Sequence, residues 1–152
     1  MNEIDSRSLG FEISGDEGKV RIIVLGLERD SDDYYDGNWL RAHLNVKLEA
    51  FVGEFDFCIL AQELERLYGG LRRMHETLTG DATLHCIEPY VEMRATIDKL
   101  GKVDWVGSVQ YPLGIGATLA FSFKADQSYL SASLDSLKLI LERYPVKGNP
   151  KS

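Results

Sequence analysis

The sequence predicts an α+β domain built from two consecutive units, each with about four strands and one helix. Apolar and polar residues alternate along several stretches, and leucines recur at helical spacing in two others. Alternation with one polar face predicts a largely antiparallel sheet, and two one-sided helices are expected on one face of it. We therefore predict a two-layer fold in a single domain over residues 1–152, with units at about residues 9–78 and 81–145.

The elements of the first unit follow from periodicity. A turn cluster at residues 15–18 separates two apolar stretches and predicts a hairpin. Residues 39–50 alternate almost strictly, and residues 51–57 alternate again. The period then becomes helical, with an apolar stripe formed by Leu60, Leu64, Leu67, Leu71, Met74 and Leu78. The pair Gly69 and Gly70 inside this helix predicts close packing or a kink there.

The second unit repeats this order. Residues 83–88 and 90–98 are predicted strands around Pro89, and two further alternating stretches flank a glycine-rich loop at residues 112–116. A final helix, capped by Asp126 or Ser128, carries the stripe Leu130, Leu134, Leu137, Leu141 and Tyr144. An internal ββββα duplication and a simple α+β meander both account for the match between the halves, and the sequence leaves both open.

The composition is that of a compact protein without metal or disulfide support. A chain of 152 residues buries about 70% of its unfolded surface. Cys58 and Cys86 lie in apolar stretches without ligand spacing, so we expect two reduced core thiols. Met1 is followed by a polar segment rather than a basic and then apolar one, so we expect no secretory signal, and no apolar run approaches the ~20 residues of a membrane span. We expect a cytoplasmic protein without membrane contact.

The negative charge is concentrated in the first unit. The net charge is −7, and residues 1–78 hold 16 acidic and 9 basic side chains, whereas residues 79–152 hold 8 of each. Nucleic acid is therefore not an expected partner, because phosphate binding needs clustered Lys and Arg. An acidic half can instead attract a basic protein. The acidic excess taken by itself has a second explanation, which is that it keeps the protein soluble.

Residues 30–39 are the most unusual stretch, with four aspartates, one asparagine and three aromatic residues. An Asx-type turn through Asp36 to Asn38 would join two strands, but it leaves the surplus of aspartate and tyrosine unexplained. Such a surplus is typical of a protein-binding surface. The candidate partner-binding residues are Asp32, Asp33, Tyr34, Tyr35, Asp36 and Asn38.

No metal, cofactor or catalytic group is predicted. If Asp32 opened a calcium loop, Tyr34 would stand at position 3 and His43 at position 12, where a bidentate glutamate belongs. There is no GxSxG motif, and His43, His75 and His85 share no motif. We therefore predict that the protein is not an enzyme. A hydrolase would require His43 or His85 in a cleft, within about 3 Å of a serine, cysteine or carboxylate.

Several blocks together resemble the WapI family of bacterial immunity proteins. The strongest are residues 33–40, reading DYYDGNWL, and residues 126–130, reading DQSYL, where Ser128 replaces an expected threonine. The supporting positions are Glu63, Leu64, Glu88, Leu119, Ala120, Phe121, Tyr144 and Pro145. The resemblance extends from about Val24 to Val146.

The resemblance implies a small cytoplasmic protein that binds and neutralises a polymorphic toxin domain, with a basic domain as the expected partner. It implies no enzyme activity and carries over no catalytic residues. The alternative is a domain that uses the open sheet face to bind a small molecule or a second copy of itself, as a homodimer. Charge and the family blocks favour the immunity role.

Overall fold

The computed structural model describes residues 9–150 and gives ten helices and strands in a repeated order. The expectation that no secretory signal is present depends on the first residues and lies outside this range. The elements are β1 Leu9–Ser14, β2 Gly18–Leu27, β3 Trp39–Leu48, β4 Phe51–Leu60, α1 Ala61–Thr77, β5 Asp81–Leu84, β6 Val91–Ile97, β7 Lys102–Tyr111, β8 Ala117–Asp126 and α2 Ser128–Arg143.

The strands form two four-stranded sheets, one per unit, and every neighbouring pair is antiparallel. The predicted α+β class, the antiparallel pairing and the repeated ββββα order are confirmed. The division into two sheets, ordered β1-β2-β3-β4 and β5-β6-β7-β8, is a further finding. Alternation identifies the buried face of a strand but not the strand beside it, so this division was not predicted.

The first sheet follows the predicted alternation. Along β3 the side chains of Leu40, Ala42, Leu44 and Val46 are fully buried, whereas the side chains between them are exposed or half-buried. The β3–β4 ladder runs without interruption from Trp39 opposite Leu60 to Leu48 opposite Phe51. Because a shift by one residue would move the whole apolar row to the water side, this burial fixes the register.

Helix α1 buries the central part of the predicted leucine stripe; Leu60 instead ends β4, and Leu78 follows the helix and is half-buried. Leu64, Leu67, Leu71 and Met74 have no exposed surface, and each buried side chain of this kind contributes roughly 1.5–3 kcal/mol. A Cβ at Gly70 would lie 2.8 Å from Cα of Ala82 in β5, so glycine permits the close packing expected there. The chain leaves the helix at Leu78, which has a left-handed backbone (φ 54°) and donates its N–H to the carbonyl of Met74.

The two units exchange their helices. Helix α1 packs on β5 of the second sheet, α2 packs on β1 of the first, and the helices contact each other. Ser133 in α2 is buried, and its hydroxyl donates to the carbonyl of Glu12 in β1 at 2.6 Å. The β1–β2 turn is also shared, because Asp16 N–H donates to the carbonyl of Lys124 in β8 at 2.7 Å. Each helix therefore covers the outer edge of the other unit's sheet.

A buried carboxylate links the units at the start of α1. Glu63 is 1% exposed, and its two oxygens accept the N–H of Leu60 at 2.8 Å and the N–H of Ile87 at 2.6 Å. Two backbone hydrogen bonds compensate a buried charge that would otherwise be costly. The adjacent Cys86 is buried as predicted, and desolvation followed by the charge of Glu63 raises the pKa of its thiol. This thiol is therefore unreactive at neutral pH.

Candidate functional site

The segment of residues 28–38 connects β2 and β3 and carries the predicted binding residues; we call it the Asp/Tyr turn. It is closed at its base by the N–H of Glu28, which donates to the carbonyl of Trp39 at 2.9 Å. The side chains of Asp32, Asp33, Tyr35 and Asp36 are exposed, and Tyr34 is half-buried. Asn38, by contrast, is only 1% exposed.

Asp33 organises the Asp/Tyr turn. Its Oδ2 accepts the N–H groups of Tyr35 and Asp36, both at 2.9 Å, and its carbonyl accepts the N–H of Gly37 at 2.7 Å. A Cβ at Gly37 would lie 2.2 Å from the carbonyl oxygen of Ser31, so only glycine fits this position. The predicted Asx-type turn therefore forms at Asp33, three residues earlier than expected, because this carboxylate is the one that reaches the following backbone donors.

Asn38 holds the Asp/Tyr turn against the end of the chain. Its Nδ2 donates to the carbonyls of Tyr34 at 2.9 Å and Lys147 at 3.0 Å, and its Oδ1 accepts the N–H of Lys147 at 2.8 Å. Gln62 in α1 also donates to the carbonyl of Tyr34, at 3.0 Å. The amide of Asn38 is thus used inside the protein and positions the exposed residues around it.

Residues 147–150 lie along the Asp/Tyr turn and form what we call the strap. Tyr35 donates its hydroxyl proton to the carbonyl of Pro150 at 2.8 Å, and Lys147 Nζ donates to the carbonyl of Ser31 at 3.2 Å. A Cβ at Gly148 would lie 2.7 Å from the nitrogen of Tyr34. The strap brings the end of the second unit against a turn that the sequence places in the first unit, and the sequence did not predict this contact. Contacts to backbone carbonyls leave no signal in a residue pattern.

The Asp/Tyr turn is strongly acidic and open to water. Residues 28–38 contain five acidic side chains and one basic side chain, Arg29. Arg29 lies 3.8 Å from the carboxylate of Asp36, with both side chains more than half exposed. An exposed pair of this kind contributes little energy and leaves most of the negative charge uncompensated. The rings of Tyr34 and Tyr35 meet edge to face at 5.2 Å.

Both histidines named in the hydrolase hypothesis lie beside carboxylates, and Nδ1 of the exposed His85 is 3.1 Å from Glu92. His43 in β3 contacts Asp56 through Nδ1 at 2.6 Å and Glu54 through Nε2 at 2.7 Å, both carboxylates being on β4. Burial opposes protonation, but the two carboxylates outweigh it and raise the pKa of His43 above 6.5. His43 therefore meets the condition set for a hydrolase, a carboxylate within about 3 Å of the ring. Both ring nitrogens are engaged, however, so neither can accept a proton from a nucleophile.

The outer face of the first sheet carries mixed charge. A shallow depression there is lined by Glu12, Lys19, Arg21, Ile23, His43, Asn45, Lys47 and Glu54. Trp105 of β7 is 1% exposed and belongs to the core, so it is not available to a ligand on an open sheet face. The expectation of a core thiol is wrong for Cys58, which is half-buried on the outer face because it follows the outward positions of β4; desolvation followed by the charge of Glu28 raises the pKa of its thiol. Among residues 9–150, no group of three or more His, Cys, Asp or Glu side chains is arranged to hold a metal ion.

Comparisons with known proteins agree with the fold and identify a family. The model of the immunity protein WapI-like family matches residues 11–145. A solved structure titled "Crystal structures of trypanosoma bruciei MRP1/MRP2" is similar with a TM-score of 0.51 and 10% identity, covering 91% of this chain and 86% of that chain. At this identity the likeness concerns the fold alone. No curated protein matches the chain. Neither helix in the described range is long and apolar enough to cross a membrane.

Proposed function

The chain belongs to the immunity protein WapI-like family, and from this membership we propose that it binds and neutralises the toxin domain of a polymorphic toxin. An immunity role, which entails binding a protein toxin, is what the family supports in general. The finer proposal is that the Asp/Tyr turn is the contact surface, that the toxin domain is basic, and that binding takes place in the cytoplasm. The protein acts without chemistry of its own.

The order of the Asp/Tyr turn is the observation that supports this proposal most. Asp33 and Asn38 fix its backbone, and the strap holds it from the side. Asp32, Asp33 and Asp36 nevertheless remain in water. A charged loop that is already ordered loses little conformational entropy on binding, so more of its interaction energy is available as affinity.

The proposed mechanism is occlusion assisted by charge. The acidic turn attracts a basic toxin domain and raises the rate of encounter, especially at low salt. Tyr34 and Tyr35 then supply aromatic contact area, with Tyr35 58% exposed. Asn38 has a positioning role, because its buried amide maintains the geometry of the exposed residues.

Growth protection tests this proposal. The first step is to establish whether the neighbouring gene encodes a large secreted protein; the C-terminal domain of that protein is then expressed in bacteria with or without this chain. Wild-type protein is expected to restore growth and to co-purify with the domain. The triple variant Asp32→Asn, Asp33→Asn and Asp36→Asn is expected to protect poorly. Asparagine retains an acceptor oxygen at position 33, so the turn can still form.

The second unit offers a matched control. Asp98 also organises a turn, because its Oδ1 accepts the N–H groups of Leu100 and Lys102. Asp104 pairs with a basic side chain, as Asp36 does, and Asp135 is an exposed aspartate. The variant with all three changed to asparagine should protect like wild type. Loss of protection in both variants, or in neither, would remove the Asp/Tyr turn from the proposal.

A further inference from the structure

Two of the four sheet edges are covered by helices. Ser133 in α2 donates to the carbonyl of Glu12 on the edge strand β1. Helix α1 lies against the edge strand β5, where Gly70 approaches Ala82. Covering an edge in this way prevents another strand from pairing with it. The remaining edges are β4 and β8.

The second halves of β4 and β8 are covered as well. The β1–β2 turn docks on β8 through the hydrogen bond from Asp16 to Lys124. The connection between β5 and β6 lies beside β4: Glu88 acts on the pKa of Cys58 near the end of the strand, and the ring of Tyr90 lies 6.0 Å from that of Phe55 and 6.1 Å from that of Phe57. Within the described range, β4 pairs with β3 alone, and no other backbone bonds to residues 51–55. The first half of β4 is therefore an open strand edge.

An apolar cleft lies beside this open edge. It runs between the starts of β4 and β8, and Phe51, Leu119 and Phe121 are among the residues that line it. Phe51 is 63% exposed, which is unusual for so large an apolar side chain. Further along β4, Phe55 stacks on Tyr111 with ring centroids 5.0 Å apart, and Tyr111 is itself 52% exposed.

The opposite face of the same half-strand is acidic. Val52, Glu54 and Asp56 point outward, and both carboxylates are held by His43. The corresponding outward residues of β8 are Thr118, Ala120 and Ser122, which carry no charge. A strand added to β4 would therefore have aromatic neighbours on one face and carboxylates on the other, because side chains alternate along a strand.

A second copy of the chain gains nothing from this charge pattern. Within the open half, an antiparallel pairing of two β4 strands centres on Gly53 and places Glu54 of each copy opposite Val52 of the other. The carboxylate of Glu54 then has no basic partner across the new pair. Basic residues on the added strand would be favourable at these positions.

We propose that the first half of β4 accepts an extended segment of another protein, in which apolar residues alternate with lysine or arginine. The segment adds a fifth strand to the first sheet. Its apolar side chains lie on Phe51 and Phe55, and its basic side chains lie beside Glu54 and Asp56. The site is distinct from the Asp/Tyr turn, which joins β3 at the other end of the ladder, roughly 13 Å from Asp56 and about 30 Å from Phe51 along the strand. It does not depend on the proposed function of the turn.

A blocked ten-residue peptide of alternating Lys and Val tests this proposal. It should bind the full chain and shift the amide resonances of residues 51–56, whereas a peptide of alternating Glu and Val should not. The double variant Glu54→Lys and Asp56→Lys should bind the lysine peptide at least about tenfold more weakly. Changing Asp135 and Glu142 of α2 to lysine makes the same change in net charge and should leave affinity nearly unchanged.

Two further measurements distinguish strand addition from general attraction. Phe51→Ser removes an exposed side chain, so folding should be retained while the affinity falls. Of two peptides methylated on either the Lys or the Val amides, one should lose binding and the other keep it, since alternate N–H groups of a strand point to opposite sides. Equal binding by both, unchanged affinity in the Glu54/Asp56 variant, or a dimer that Phe51→Ser disrupts would overturn the proposal.

Discussion

The two units place very different connections at the same point of the fold. Residues 28–38 join β2 to β3 in the first unit, whereas residues 98–101 join β6 to β7 in the second. Both turns are organised by an aspartate, Asp33 in one and Asp98 in the other, that accepts two backbone N–H groups. The first connection has additional length, charge and aromatic residues, and the second has only what is needed to reverse the chain. The shared scaffold thus carries a specialised loop in one unit.

The units also differ at the start of their helices. Helix α1 has the buried Glu63 at its third position, and the corresponding position of α2 is the apolar Leu130. The carboxylate of Glu63 accepts a hydrogen bond from Ile87 of the second unit, and this bond attaches the first helix. The second is attached by packing and by the hydroxyl of Ser133. Equivalent elements have therefore reached the same docking position by different interactions.

Separating the units is expected to have the largest effect. Because each helix packs on the other unit's sheet, a fragment of residues 1–79 would expose the stripe that α1 buries. Neither this fragment nor residues 80–152 should show cooperative unfolding by circular dichroism, and mixing the two should restore it. A fragment that folds alone would show that the exchanged helices are not required.

Glu63→Ala removes a buried carboxylate and is expected to destabilise the protein by about 2–4 kcal/mol, because two backbone N–H groups lose their acceptor. Urea unfolding measures the change. Glu65→Ala is the control, since that side chain is exposed two residues further along α1, and it should change stability by less than about 0.5 kcal/mol. Equal effects would mean that the buried bridge contributes nothing specific.

A smaller effect is expected from the protonation of His43. Its pKa is raised in the folded protein, so the stabilisation that it supplies is fully present below about pH 6.5 and is lost as the pH rises through the folded value. The unfolding free energies of wild type and His43→Gln should therefore converge with increasing pH. An NMR titration that places the pKa of His43 at or below 6.5, or a difference that grows with pH, contradicts this account.

Much of the fold could be predicted because periodicity reports burial directly. The stripe from Leu60 to Leu78 predicted α1, and strict alternation predicted β3. The exchange of helices could not be predicted in this way, since an apolar stripe shows that a helix is buried but not which strand it covers. For the same reason, the strands that pair with β4 and β8 could not be predicted.

The candidate site was predicted unevenly. Composition directed attention to the aspartates and tyrosines of the Asp/Tyr turn, and the structure places most of them at the surface. Asn38 belongs to the same stretch, yet its amide is buried, because a short polar side chain can satisfy the chain's own backbone. Lys147 and Pro150 lie more than a hundred residues away and contribute largely through their backbone, with one side-chain contact from Lys147 Nζ, so the local sequence around the turn did not indicate them.

The central claim is that the toxin domain binds the Asp/Tyr turn and not the scaffold that the two units share. The rate of association with the toxin domain tests this claim most directly. The Asp32, Asp33 and Asp36 triple asparagine variant should associate about tenfold more slowly at low salt, with a flatter salt dependence. The matched triple at Asp98, Asp104 and Asp135 should associate at nearly the wild-type rate. An unchanged rate in the first variant, or an equal loss in both, would contradict the account.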